Sequence, residues 1–135
     1  MTIPVSWHDP SHTVLVQNFN GQWTLDDYFE TVEATYTLID TVNHPVDVIV
    51  DISQDPGSTT RLIAAAGEVA DSSGPARVHP NQRMLVVVGG GPFMRTLVQM
   101  GMKYAPWLAR TLVAADTHDE ARTLINRHQL GYNSH

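Results

Sequence analysis

Two runs of this chain are apolar on both faces when extended, and few folds can bury such a segment. One is Val46-Asp47-Val48-Ile49-Val50-Asp51-Ile52 and the other is Met84-Leu85-Val86-Val87-Val88. Side chains alternate across a strand, so a run apolar at both odd and even positions needs cover on both sides. The two runs are therefore expected as adjacent central strands of a sheet with helices on its faces. That places the chain in the α/β class.

The rest of the chain supplies elements to match. Thr13-Val14-Leu15-Val16-Gln17-Asn18-Phe19 is rich in β-branched residues and reads as a strand. A shorter strand over residues 3–8 precedes it. Asp9-Pro10-Ser11-His12 between them is a turn composition, so the pair reads as a hairpin. Thr24 then caps a helix, with Asp27 as a short capping-box partner. Leu25, Tyr28, Phe29, Val32, Tyr36, Ile39 and Val42 recur every three or four residues, which predicts one inward stripe. His44-Pro45 stops it, because proline disfavours helical geometry in the residue before it. Further helices are expected over 59–70, from Pro92 to about residue 104, and from a Thr117…Glu120 capping box to near Gly131. Thr111-Leu112-Val113-Ala114-Ala115 is the last strand. The expected order is β-β-α-β-α-β-α-β-α, a mixed sheet of four to five strands with four helices in a single domain over residues 1–135.

Charge and residue usage narrow the function classes. The chain of 135 residues has no cysteine, which excludes disulfides, a thiol nucleophile and thiolate metal sites. Its net charge of −6 opposes binding to nucleic acid or an anionic membrane by bulk charge. The first residues carry no basic stretch followed by an apolar run, and no window is long and apolar enough for a membrane span. A cytoplasmic protein is the expectation. Residues 1–67 hold nine acids and one base, Arg61, whereas residues 68–135 hold five acids and seven bases. This asymmetry, with Trp7, Trp23 and Trp107 near element ends, points to protein contact and to a homodimer.

The element order resembles that of the STAS domain, the fold of bacterial anti-sigma-factor antagonists and of sulphate-transporter tails. Val46-Asp47-Val48-Ile49-Val50-Asp51-Ile52-Ser53 looks like that family's central strand, which ends in an Asp and a small polar residue. Val113-Ala114-Ala115-Asp116-Thr117-His118-Asp119-Glu120-Ala121 looks like its last strand and helix start. The resemblance implies a small regulatory domain acting on a protein partner. The family's regulatory serine turn is replaced here by Asp55-Pro56-Gly57-Ser58. The phosphoacceptor slot falls on Gly57, with Ser58 one place beyond. A phosphate on Ser58 would meet a helix N-terminus, with Arg61 three residues on.

In sheets with parallel strands, sites gather at the carboxyl ends of the strands. Those ends offer Asp51, Ser53, Asp55, Ser58 and Arg61 from one loop, Gly90, Gly91 and Arg95 from a second, and Asp116 with Thr117 and His118 from a third. These form the candidate regulatory or ligand loop. No stringent motif accompanies them. Gly89-Gly90-Gly91 lacks the Gly-Lys-Ser or Gly-Lys-Thr of a phosphate loop and the third glycine of a dinucleotide loop. It reads as a tight turn with close backbone packing. No Gly-x-Ser-x-Gly elbow and no His-Glu-x-x-His are present. The seven histidines read as scattered surface residues. The expectation is a non-catalytic binding or regulatory domain that takes no cofactor and no metal. A binder of a small molecule or lipid, or an enzyme, using the same loops stays as the alternative.

Overall fold

The computed structural model describes residues 3–19, 23–54, 79–89 and 112–133. Its strands are β1 (Val5–Trp7), β2 (Val14–Asn18), β3 (Val46–Asp51), β4 (Gln82–Val88) and β5 (Leu112–Ala115). Its helices are α1 (Leu25–Ile39) and α2 (His118–Asn133). The five strands form one sheet in the order β1-β2-β3-β4-β5. β1 pairs antiparallel with β2, and every later pair is parallel. The two doubly apolar runs are indeed neighbours, and neither lies at an edge.

The expectation of four helices is corrected. Among the described residues the order is β-β-α-β-β-β-α, with two helices. The helices expected over 59–70 and 92–104 lie outside the described residues. Apolar spacing of three and four is a local signal, and it names candidate segments without the packing that decides them. No helix among the described residues is long and apolar enough to cross a membrane.

The pleat of β3 sorts its side chains between two cores. Val46, Val48, Val50 and Ile52 join Leu15, Phe19, Trp23 and Ile39 on the face that α1 covers. Ile49 joins Val14, Val16, Met84, Val86 and Val88 on the other face, against Ala121 and Ile125 of α2. Burying each such aliphatic side chain is worth roughly 1.5–3 kcal/mol, which is why a strand apolar on both faces takes the middle of the sheet. Asp47 and Asp51 bracket Ile49 on the α2 face, one at each end of the strand.

The hairpin is held by its turn. Asp9 accepts from the Thr13 and Val14 backbone N–H groups at 2.9 and 3.0 Å, and from the Thr13 hydroxyl. Burial raises the Asp9 carboxyl, but these bonds outweigh it and leave it below the usual carboxylate range. His12, at φ 55, takes the left-handed turn position and stacks its ring on Trp7 at 4.4 Å.

The first helix departs from its expected stripe. Both halves of the Thr24–Asp27 capping box form. However, the buried residues of α1 are Thr31, Thr35 and Ile39, while Leu25 is exposed. Thr31 donates to the Ile3 carbonyl at 2.9 Å. Thr35 donates to the Thr31 carbonyl and accepts from Gln17 Nε2 at 2.8 Å. Two small side chains four apart bring the helix close to the hairpin, and their hydroxyls satisfy polar groups that an apolar seam would strand. The aromatic residues flank this seam. Trp23 is buried against Phe19 and Tyr28, so it is a core lid instead of a contact residue. Trp107 lies outside the described residues.

Candidate functional site

The site starts from the last residue of β3. Asp51 is 9% exposed and its backbone carbonyl accepts from the Phe19 N–H, which joins the ends of β2 and β3. The chain turns immediately after Ile52. In that turn Ser53 donates twice to Asp51 Oδ1, from its backbone N–H at 2.8 Å and from its hydroxyl at 2.5 Å. This is an Asx-type turn, in which a short carboxylate fixes the backbone two residues on.

Gly89 makes room for the turn from the β4 side. It has φ 93, and a Cβ built on it would lie 2.5 Å from the Ser53 Cα. Only glycine fits both the torsion and the contact. Its N–H donates to the Ala115 carbonyl at 3.2 Å. The first glycine of the triplet thus serves close packing, as its composition suggested. Gly90 and Gly91 lie outside the described residues.

The third contribution comes from the start of α2. Thr117 Oγ1 accepts from the Glu120 N–H at 3.1 Å. The Glu120 carboxylate reaches past Thr117 and accepts from the Asp116 N–H at 3.0 Å. This variant of the expected capping box sets the first turn of α2 at the carboxyl end of the sheet. His118 then projects to Asp51, with Nε2 2.5 Å from Oδ2. Its side chain is 39% exposed. A carboxylate can only accept, so Nε2 carries the hydrogen and Nδ1 is the free lone pair of the neutral ring. The His8 ring stacks beside it at a centroid distance of 6.2 Å and an interplanar angle of 26°.

Burial raises the Asp51 carboxyl. The hydrogen bonds from the Ser53 hydroxyl, His118 and the Ser53 N–H outweigh burial and hold it below the usual carboxylate range. Among the described residues no group of three or more histidine, aspartate or glutamate side chains could hold a metal ion.

Of the residues proposed from sequence, Asp51 and Ser53 are in direct contact. Asp116 contributes its backbone N–H to the capping of α2. Asp55, Ser58, Arg61 and Arg95 lie outside the described residues, and with them the Ser58 reading. The sequence reading placed His118 at the strand ends with Asp116 and Thr117 but gave it no role, and it took His8 for a surface histidine. The signal for His118 was its place one residue after a capping threonine, which fixes it at the strand ends. His8 gave no such signal.

A second polar group lies at the opposite end of β3 and was also missed. Asp47 is fully buried. Arg83 grips it with two bonds, Nε to Oδ1 at 3.0 Å and Nη2 to Oδ2 at 2.7 Å. The register between β3 and β4 slips here, with Val46 opposite Gln82 but Val48 opposite Leu85. This bulge frees the Met84 N–H from the ladder, and Asp47 Oδ1 accepts it at 3.0 Å. No protein-family model, curated protein or solved structure matches this chain.

Proposed function

We propose that this chain is a small, non-catalytic regulatory domain that meets a protein partner at the carboxyl ends of β3 and β4, as the STAS resemblance implies. The observation that carries the reading is the place of Asp51 between Ser53 and His118. A serine nucleophile needs the imidazole between itself and the carboxylate, so that the ring takes the hydroxyl proton. Here Ser53 gives its hydrogen bond to the carboxylate directly. Asp51 is held ionised, so it is a poor proton donor near neutral pH. The cluster ties the end of β3, its turn and the start of α2 into one rigid surface. Ser53, Gln54, Asp116 and Thr117 are exposed around it, a polar rim suited to protein contact.

The alternative, a small-molecule binder or enzyme at the same loops, draws on one observation. His118 is oriented by a carboxylate, and its Nδ1 makes no hydrogen bond among the described residues. An imidazole so held can act as a general base. Site-specific photo-crosslinking in cells separates the two. A crosslinking residue at Gln54 should give a discrete protein adduct, one at Glu33 on α1 should not, and Asp51→Asn should abolish the Gln54 adduct. No adduct at Gln54, together with turnover of p-nitrophenyl acetate or phosphate that His118→Ala removes, would overturn the proposal.

A further inference from the structure

The two stacked histidines join parts of the chain that no hydrogen bond joins among the described residues. His8 follows the last residue of β1, and His118 opens α2. Their anchoring is unequal. His118 is fixed to Asp51 through Nε2. The His8 backbone N–H is fixed to the Val14 carbonyl at 2.7 Å, but its exposed ring makes no hydrogen bond among the described residues. The ring-to-ring contact is what the His8 side chain has.

We infer that His8 and His118 form a pH-sensitive clasp, which holds the hairpin against the start of α2 when the rings are neutral and releases it when both are protonated. Histidine is the side chain whose ordinary charge change falls between pH 5 and 8. Two neutral imidazoles stack favourably, whereas two imidazolium rings 6.2 Å apart repel each other.

The charged groups nearby decide which ring moves. From β3, Asp51 stays a carboxylate through this range and strengthens its hold on a protonated His118. It is already shared with both Ser53 donors. From the hairpin, the Asp9 carboxylate is engaged by Thr13 and Val14, and the His12 ring is stacked on Trp7. From the α2 start, Glu120 is engaged by the Asp116 N–H, while Asp116 and Asp119 are exposed. One anion thus contacts one of the two rings, and the second positive charge lacks a contacting counter-ion among these groups. His8 is the mobile partner, and its ring leaves.

Nuclear magnetic resonance on the full chain tests this. At pH 7.5 the parent should show cross-relaxation between the His8 and His118 ring protons, and at pH 5.0 that signal should be lost. The amide signals of residues 8–14 should move over the same interval, while those of β3 and β4 stay as a control for the fold. His8→Phe keeps a ring that cannot charge, so in a His12→Asn background, where the turn holds no second imidazole and Asn accepts the left-handed torsion, the hairpin amides should become insensitive to pH across this range. His8→Lys carries a fixed charge and should show the released hairpin shifts already at pH 7.5. A ring contact that persists in the parent at pH 5.0, or hairpin amides that respond to pH equally with and without His8→Phe in the His12→Asn background, would overturn the clasp.

Discussion

Asp47 and Asp51 lie four residues apart on one face of one strand, and they are solved in opposite ways. Asp47 stands at the amino end of β3, fully buried, and meets a guanidinium in two-point contact. Asp51 stands at the carboxyl end, at the margin of solvent, and meets an imidazole and a hydroxyl. A guanidinium keeps its charge at any working pH, so the first pair is permanent. An imidazole gains or loses a proton near neutrality, so the second pair has a partner whose charge can be changed. The permanent pair guards a β-bulge inside the sheet. The adjustable one faces outward at the end where parallel sheets place their sites. Burial of a carboxylate therefore does not by itself mark function in this protein. The nature of its partner does.

Breaking the buried pair should have the largest effect. Arg83→Met removes the guanidinium from a fully buried carboxylate, and about 3 kcal/mol of stability should be lost. Urea unfolding measures it, and the loss should be the same at pH 6 and pH 9. A loss under ~1 kcal/mol would mean that the Met84 N–H and other donors hold Asp47 without the arginine.

Asp51→Asn should cost less, roughly 1–2 kcal/mol at pH 7, because water can replace part of what His118 and Ser53 supply. Its pH dependence carries more information. The folded-state carboxyl lies below its unfolded value, so the carboxylate's stabilisation is present above the unfolded value, about 3.9. It is lost as pH falls through the folded value. In a His118→Asn background, which removes the imidazole charge that would otherwise add to the effect, the difference between Asp51 and Asp51→Asn proteins in thermal unfolding should be constant from pH 8 to about pH 5. It should shrink below about pH 4. A difference that grows toward acid would reverse the assignment. The smallest expected effect is that of Ser53→Ala, about 0.5–1 kcal/mol, since the Ser53 N–H still reaches Asp51. That variant should also lose less stability in acid than the parent, because one of the bonds holding Asp51 below its unfolded value is gone.

Much of the scaffold was legible because its causes are local. The run from Val46 to Ile52 has to be covered on both faces whatever surrounds it, and β3 is central. Thr24 with Asp27, and Thr117 with Glu120, mark helix starts through groups at most four residues apart. The buried seam of α1 was not legible. Thr31 and Thr35 read as polar positions beside an apolar stripe, and only the hairpin with Ile3 and Gln17 shows why they face inward. Two helices lie among the described residues where spacing led to an expectation of four.

For the candidate site, the sequence by itself determined where to look. Asp51 and Ser53 follow from the end of an obligatory central strand. The tertiary structure decided what they touch. His118 is 67 residues from Asp51, Arg83 is 36 from Asp47, and His8 comes from the far end of the chain. Such pairs depend on strand order and on a register that a single bulge can shift. Side-chain alternation and capping act over one to four residues, and the sequence records them directly. A contact between distant residues exists only once the sheet has fixed the distance between them.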